Sequence, residues 1–292
     1  MPSMSRSTTR SLRVAFAATI LVWLLPTAPS GEQAWQPAHL SDGQPDVQGD
    51  WDPEITGTFD LTDPRAGGGR LDEIQREQKG IARVPKPSRV VDPPNGKIPY
   101  LPAAAARQHV LADHADTPTA PEHIDPQARC LAGGVPREMF HSQLRVLQSP
   151  GQIVILNAQN HVFRVIPLDG RPHIGPHTKL WMGDSRGHWE GTTLVVDVTN
   201  QNARGRLDMV GNFFSDNAHV VERFEFTDAN TLNYRATIED PAVYTRPWTI
   251  ASKFVRGKRG QGQEYWEDAC HEGERSADAM VIRTDAGATP AK

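Results

Sequence analysis

Cysteine, aromatic side chains and net charge are all scarce in this 292-residue chain: two Cys, 7% Phe, Trp and Tyr, and a formal charge of −4. Two cysteines are too few for a small disulfide-stapled scaffold. A near balance of 31 basic and 35 acidic residues lacks the basic footprint of a nucleic-acid binder. Apolar runs long enough to span a bilayer, ~20 residues, are missing, which excludes a polytopic membrane protein. Phosphate-cradling loops of the Walker or dinucleotide type are missing too; the Gly67–Gly69 run precedes no strand–helix unit. What is abundant is glycine and proline, 24 of each. Such a chain favours turns over long helices.

The amino terminus has the composition of an export signal. Arg6, Arg10 and Arg13 precede an apolar stretch from Val14 to Leu25, then Pro26, Ala28, Pro29 and Ser30. A basic start, a short apolar core and small residues at its end mark a secretory signal peptide over residues 1–30. The expected location is periplasmic or secreted, with no membrane association after cleavage. Cleavage removes three arginines and no acid, which takes the charge from −4 to −7. In an oxidising compartment Cys130 and Cys270 read first as one disulfide. Closing so long a loop is worth ~5 kcal/mol on the chain-entropy model.

The mature chain changes character near residue 150. Residues 31–150 carry 15 of the 24 prolines and only five aromatics, whereas residues 151–292 carry 13 of the 20 aromatics. The first stretch cannot build a rich core alone and reads as a Pro-rich wrapping extension with short helical patterns at Leu71–Lys79 and Ala103–Ala112. From residue 151 to 275 the pattern is period two. Gln152–Asn157, Val162–Pro167, Thr192–Thr199, Ala218–Thr227, Thr231–Ile238 and Trp248–Val255 read as strands, with another near Tyr265. Strands in succession without intervening helices imply an antiparallel meander. The predicted fold is mainly β, closing into a barrel-like, lipocalin-like cavity. Residues 276–292 read as a tail.

Candidate chemistry appears where alternation breaks. Val220, Glu222, Phe224 and Phe226 share one strand face, so Glu222 projects among apolar neighbours. A buried carboxylate is either paired or a proton-transfer group of raised pKa. Arg164, flanked on its face by Val162 and Ile166, is its candidate partner, or else an anchor for a ligand anion. His161 is a candidate proton shuttle. Between Trp181 and Gly191 a tight, glycine-rich connection carries Asp184, His188, Trp189 and Glu190 toward a cavity mouth, or is a hairpin held by its own ion pairs. A second concentrated loop holds Glu239, Asp240, Tyr244, Arg246 and Trp248, where the aromatic rings suit a flat ligand or belong to the core. His173 and His177 stand four apart, but Gly175 and Pro176 between them forbid the helix that would make them a metal pair.

Several of these segments resemble a family of exported bacterial proteins of unassigned function: residues 161–173 (HVFRVIPLDGRPH), 181–199 (WMGDSRGHWEGTTLVVDVT), 219–224 (HVVERF), 237–249 (TIEDPAVYTRPWT) and 268–273 (DACHEG). The similarity extends to Gln44–Trp51 and Gly96–Tyr100. It implies that these loops matter to the family and supplies no reaction. The leading expectation is a cofactor-independent enzyme of lyase, isomerase or hydrolase type acting on a small organic or aromatic metabolite. Glu222, His161, Glu190 and Asp184 would handle protons. Arg164, His173, Glu239 and Arg246 would hold the substrate, with Trp189, Tyr244 and Trp248 against its ring. The alternatives are a non-catalytic periplasmic binding protein and a metal-dependent hydrolase; no metal site is expected under the leading reading.

Overall fold

The computed structural model describes residues 35–55, 60–63, 78–80, 87–160, 162–257 and 281. Among the described residues ten strands form one sheet: β1 (Gly49–Pro53), β2 (Val90–Asp92), β3 (Leu144–Ser149), β4 (Gln152–Asn157), β5 (Phe163–Pro167), β6 (Asp184–Glu190), β7 (Thr193–Thr199), β8 (His219–Asp228), β9 (Thr231–Glu239) and β10 (Trp248–Arg256). Their order is β5-β4-β3-β1-β10-β9-β8-β7-β6, with β2 alongside β10, and every pairing is antiparallel. The protein is mainly β, and its sheet is nearly closed into a barrel.

Closure comes from side chains at the seam between β5 and β6. Gly187 makes it possible: a Cβ there would lie 2.6 Å from Ile166 Cγ2 and 2.8 Å from Leu168 Cδ2. Gly187→Val is therefore expected to force the seam apart. Overpacking of this kind costs ~1–3 kcal/mol, readable as a lower urea midpoint; an unchanged midpoint would mean that the seam is not tightly packed.

Alternation fixes the interior. Val220, Glu222, Phe224 and Phe226 of β8 point inward beside Leu232, Tyr234, Ala236 and Ile238 of β9, all of them buried. Trp51 packs edge-on against Phe226 with ring centroids 5.2 Å apart, and Phe224 lies 4.9 Å from Tyr234. Large inward side chains thus fill much of the space enclosed by the sheet.

The proline-rich stretch does more than wrap. Two of its segments, β1 and β3, stand inside the sheet between β10 and β4. These strands are short and lack a run of aromatics, so their sequence conceals the role; Trp51, fully buried, is the residue that anchors β1. The helix expected near Ala103 is α1 (Pro102–Asp113), and a short α2 (Arg137–His141) is buried through four of its five residues. The segment 184–190, expected as part of a connection, is a strand. Its polar Asp184, Arg186, His188 and Glu190 alternate outward while Ser185, Gly187 and Trp189 face in, so the glycine that suggests a turn instead serves the seam. Phe163 of β5 stands 64% exposed, and its outer face has no cover among the described residues. The strand near Tyr265, most of the helix at Leu71–Lys79, and the signal segment lie outside the described residues.

Candidate functional site

Two of the expected residues meet in the core. Glu222 has no exposed surface, and Arg164 Nη2 donates to its Oε2. Tyr234 Oη donates to Glu222 Oε1 at 2.7 Å, and Arg164 Nε donates to Ser185 Oγ at 2.8 Å. Burial, then the Glu222 charge, pushes the Tyr234 phenol well above its ordinary value, so it remains a donor. Arg164 reaches from β5 across the seam to β6 and β8, tying the unpaired strands together. Arg164 Nη1 is buried without a hydrogen-bond partner. Both oxygens of Glu222 are satisfied from within the barrel.

Gly183, Asp184, Ser185, Arg186 and Gly187 have the Gly-x-Ser-x-Gly frame of a nucleophile elbow. An elbow needs a sharp strand-to-helix turn that exposes the serine. Ser185 is instead buried within the β6–β7 ladder, opposite Val198, and accepts from Arg164. The frame carries no nucleophile here.

A second polar centre occupies the outer face of β6, β7, β8 and β9. His219 Nε2 lies 2.7 Å from Asp197 Oδ2; Asp197 Oδ1 lies 2.7 Å from His173 Nε2; and His173 Nδ1 lies 2.8 Å from Asp184 Oδ2. The row continues at each end, to Arg186 Nη1, 2.6 Å from Asp184 Oδ1, and to Glu239 Oε2, 4.0 Å from His219 Nδ1. Antiparallel register explains the row. Arg186 stands opposite Asp197, Asp197 opposite Val221, and His219 opposite Glu239. His173 comes from the connection before β6, which folds back over the sheet. Arg186 Nε donates to the carbonyls of Arg171 and Pro172 at 3.1 and 3.0 Å, and Asn200 Nδ2 donates to those of Gly175 and Thr178, both at 2.9 Å. Burial pushes the Asp184 carboxyl up, but the Ile174 backbone N–H, His173 and Arg186 outweigh it and hold the group below its ordinary value.

His173 and His219 are not equivalent. Both ring nitrogens of His173 face carboxylates, so it has no nitrogen left for a ligand. His219 has one nitrogen on Asp197 and the other nearly free, with its side chain 38% exposed. An imidazole oriented by a carboxylate through one nitrogen and open at the other has the geometry of a general acid–base group.

No family model, curated protein or solved structure matches this chain. Its function has to be read from side-chain geometry.

The remaining expected residues lie apart from this row. Glu190 pairs with Arg223 at 2.7 Å and with His188 at 3.3 Å on an exposed part of the same sheet face. Trp189 is half-buried at the barrel end, its ring 6.2 Å from Phe226. Tyr244 and Trp248 are buried with their rings 5.3 Å apart, and Tyr244 Oη donates to the Phe213 carbonyl at 2.6 Å. They belong to the core. Arg246 makes an exposed pair with Asp92 at 2.7 Å. Cys130 is exposed, closing a short 3-10 turn in a left-handed conformation at φ 58°. His161 and Cys270 lie outside the described residues. Among the described residues no three His, Cys, Asp or Glu side chains are arranged to hold a metal ion, and no helix is long and apolar enough to cross a membrane.

The structure adds a buried polar knot that sequence patterning did not reveal. Asp208 is fully buried and accepts from the Leu61 and Asn212 backbone N–H groups, both at 2.9 Å; burial still pushes its carboxyl up to about 7. On α2, Arg137 pairs with Asp125 at 2.7 Å, while burial raises the carboxyl of its fully buried neighbour Glu138. His141, at the end of α2, is pushed down to about 3 by burial and by the Arg137 and Arg89 charges. Asp208 lies in an irregular stretch without period, so no alternation flags it. In the five residues of α2, a run of Arg, Glu, Met, Phe and His, charged and apolar residues mix too closely to show a face.

Proposed function

We propose that the protein is an exported enzyme of acid–base type acting on a small polar metabolite, with His219 transferring the proton and Asp197 orienting it. The observation that carries this reading is the 2.7 Å contact between His219 Nε2 and Asp197 Oδ2, combined with a second ring nitrogen that has only Glu239 Oε2 near it, 4.0 Å away. In the neutral tautomer Nε2–H donates to Asp197, and Nδ1 offers a lone pair to a substrate proton. His173 and Asp184 hold Asp197 from its other side and keep its carboxylate in one orientation. This machinery suits lyase, isomerase or hydrolase chemistry, in which a proton is taken from one atom and returned to another. Glu222 and Arg164 serve the fold in this reading, because Glu222 is satisfied and sealed inside the barrel.

Asp197→Asn offers the test, since Asn keeps the size of the side chain and loses its charge. A panel of hydroxylated and carboxylated metabolites is screened for conversion by the wild-type protein, and the converted substrate is then given to the variant. General acid–base groups contribute ~10²–10⁴-fold, so kcat is expected to drop by at least about 100-fold with little change in KM. Turnover equal to that of the wild type would remove the dyad from the mechanism.

Export and the Cys130–Cys270 bond belong to the same proposal. Protein recovered from the periplasm is expected to start near residue 31 and to gain the mass of two hydrogens on reduction. Two free thiols in freshly isolated material would contradict the bond.

A further inference from the structure

We infer that the barrel end beside Trp189 is a binding site for a neutral carbohydrate, separate from the His219 dyad. A cleft of about 530 Å³ opens there, within the ~300–1,000 Å³ range of small-molecule sites. One wall is a tight hairpin of the amino-terminal stretch, closed by a bridge between His39 and Pro45. That wall is built in. Gln44, only 6% exposed, donates through Nε2 to the Ser149 carbonyl at 3.0 Å and accepts from Gln148 Nε2 at 3.2 Å. The Gly151 N–H donates to Asp42 Oδ2 at 3.2 Å, fastening the hairpin to the β3–β4 turn. The opposite wall is the end of β6, with His188 and Trp189, beside Leu168.

The chemistry of the lining selects the ligand. Trp189 and Leu168 supply apolar surface suited to the C–H face of a pyranose ring. Around them stand a carboxylate, Asp42, and two imidazoles, His39 and His188, the second with its Nε2 3.3 Å from Glu190 and its other nitrogen open, together offering acceptors and donors. A hydroxyl group is both donor and acceptor, so it can satisfy either kind. Asp42 Oδ1 receives only a long 3.3 Å contact from the Gln44 N–H, which leaves it lone pairs to accept more. Among the described residues neither Lys nor Arg lines the cleft, and Asp42 repels anions, so phosphorylated and acidic sugars are disfavoured. Gly43, Gly151 and Gly191 also line it, with φ of +86°, +74° and +60°; a Cβ on any of them would meet no atom within 4 Å. Bare backbone at three points of the rim leaves room for a ring substituent.

The cleft and the dyad occupy opposite ends of the strands. Trp189 and Gly191 stand at the β6–β7 turn, whereas Asp184 opens β6 and His219 opens β8. The carbohydrate site could therefore anchor a glycan while the dyad acts elsewhere, and each site can be tested without the other.

The test is titration of the full mature protein with methyl β-D-glucopyranoside, methyl β-D-galactopyranoside, cellobiose and xylobiose, followed by tryptophan fluorescence and calorimetry. At least one should bind in the millimolar range or tighter and change tryptophan emission. Asp42→Asn and the exposed His188→Ala should each weaken binding at least tenfold while leaving the circular dichroism spectrum unchanged. Glucuronate should bind at least tenfold more weakly than the glucoside. Failure of all four saccharides to bind the folded protein would overturn the proposal, as would binding that both variants leave intact or a preference for glucuronate.

Discussion

Glu222→Leu is expected to lower the unfolding free energy by about 3–5 kcal/mol, the usual cost of stranding one member of a buried ion pair. The substitution leaves the Arg164 guanidinium charged and sealed at the seam, with Ser185 as its remaining partner, and removes the acceptor of the Tyr234 hydroxyl. Adding Arg164→Met should recover most of that loss, because a buried pair replaced as a unit by apolar groups is often nearly neutral. Urea unfolding of the two single variants and the double variant closes the cycle. A coupling energy of more than about 2 kcal/mol is the predicted outcome, larger than the typical range for exposed pairs. Single variants that lose less than about 1 kcal/mol, or effects that simply add, would mean that the pair is not sealed off from water.

The second large effect concerns pH. His141 has a folded pKa of about 3 against 6.5 for the free side chain, so across this window the unfolded chain binds the extra proton. Its contribution to stability is complete above pH 6.5 and is lost as pH falls toward 3. Asp208 acts in the opposite sense. With a folded value of about 7 against 3.8, it keeps its proton while the unfolded chain gives its own up, so its contribution is complete below pH 3.8 and disappears as pH rises toward 7. One proton corresponds to about 1.4 kcal/mol per pH unit. Between roughly pH 4 and 6.5 the two slopes offset each other in the wild-type protein. His141→Gln should make the slope of unfolding free energy against pH more negative by up to about 1.4 kcal/mol per unit. Asp208→Asn should make it more positive by a similar amount. Chemical unfolding at half-unit steps would reveal both, and slopes parallel to the wild type would contradict the burial of these groups.

The legible parts of this fold are those governed by period two. Val220 to Phe226 and Val162 to Ile166 show a charged residue on an apolar face, and because both breaks occur in strands, Glu222 and Arg164 could be matched before their contact was seen. Contacts made across register were harder to read. Asp197 and His219 lie on the polar face of their strands, where such residues normally meet only water; what brings them together is the pairing of β7 with β8. His173 joins them because Arg186 and Asn200 pin an irregular connection over the sheet, a tertiary effect with no local signal. Tyr244 and Trp248 were open to either role, since aromatic rings with polar tips look alike in a core and in a pocket. Tyr244 finds its acceptor in the Phe213 carbonyl, which no pattern around residue 244 announces.

The two polar centres make different demands on the molecule, and this separates their roles. A sealed pair such as Arg164–Glu222 should affect folding first. An open dyad such as Asp197–His219 should affect chemistry first, because both side chains are about two-fifths exposed and losing the imidazole strands no buried charge. The most direct measurement is kcat for His219→Asn on the substrate that the wild-type protein converts, taken alongside its urea midpoint. A loss of at least about 100-fold in kcat is expected, with a midpoint close to that of the wild type. Full turnover by a folded His219→Asn protein would contradict it.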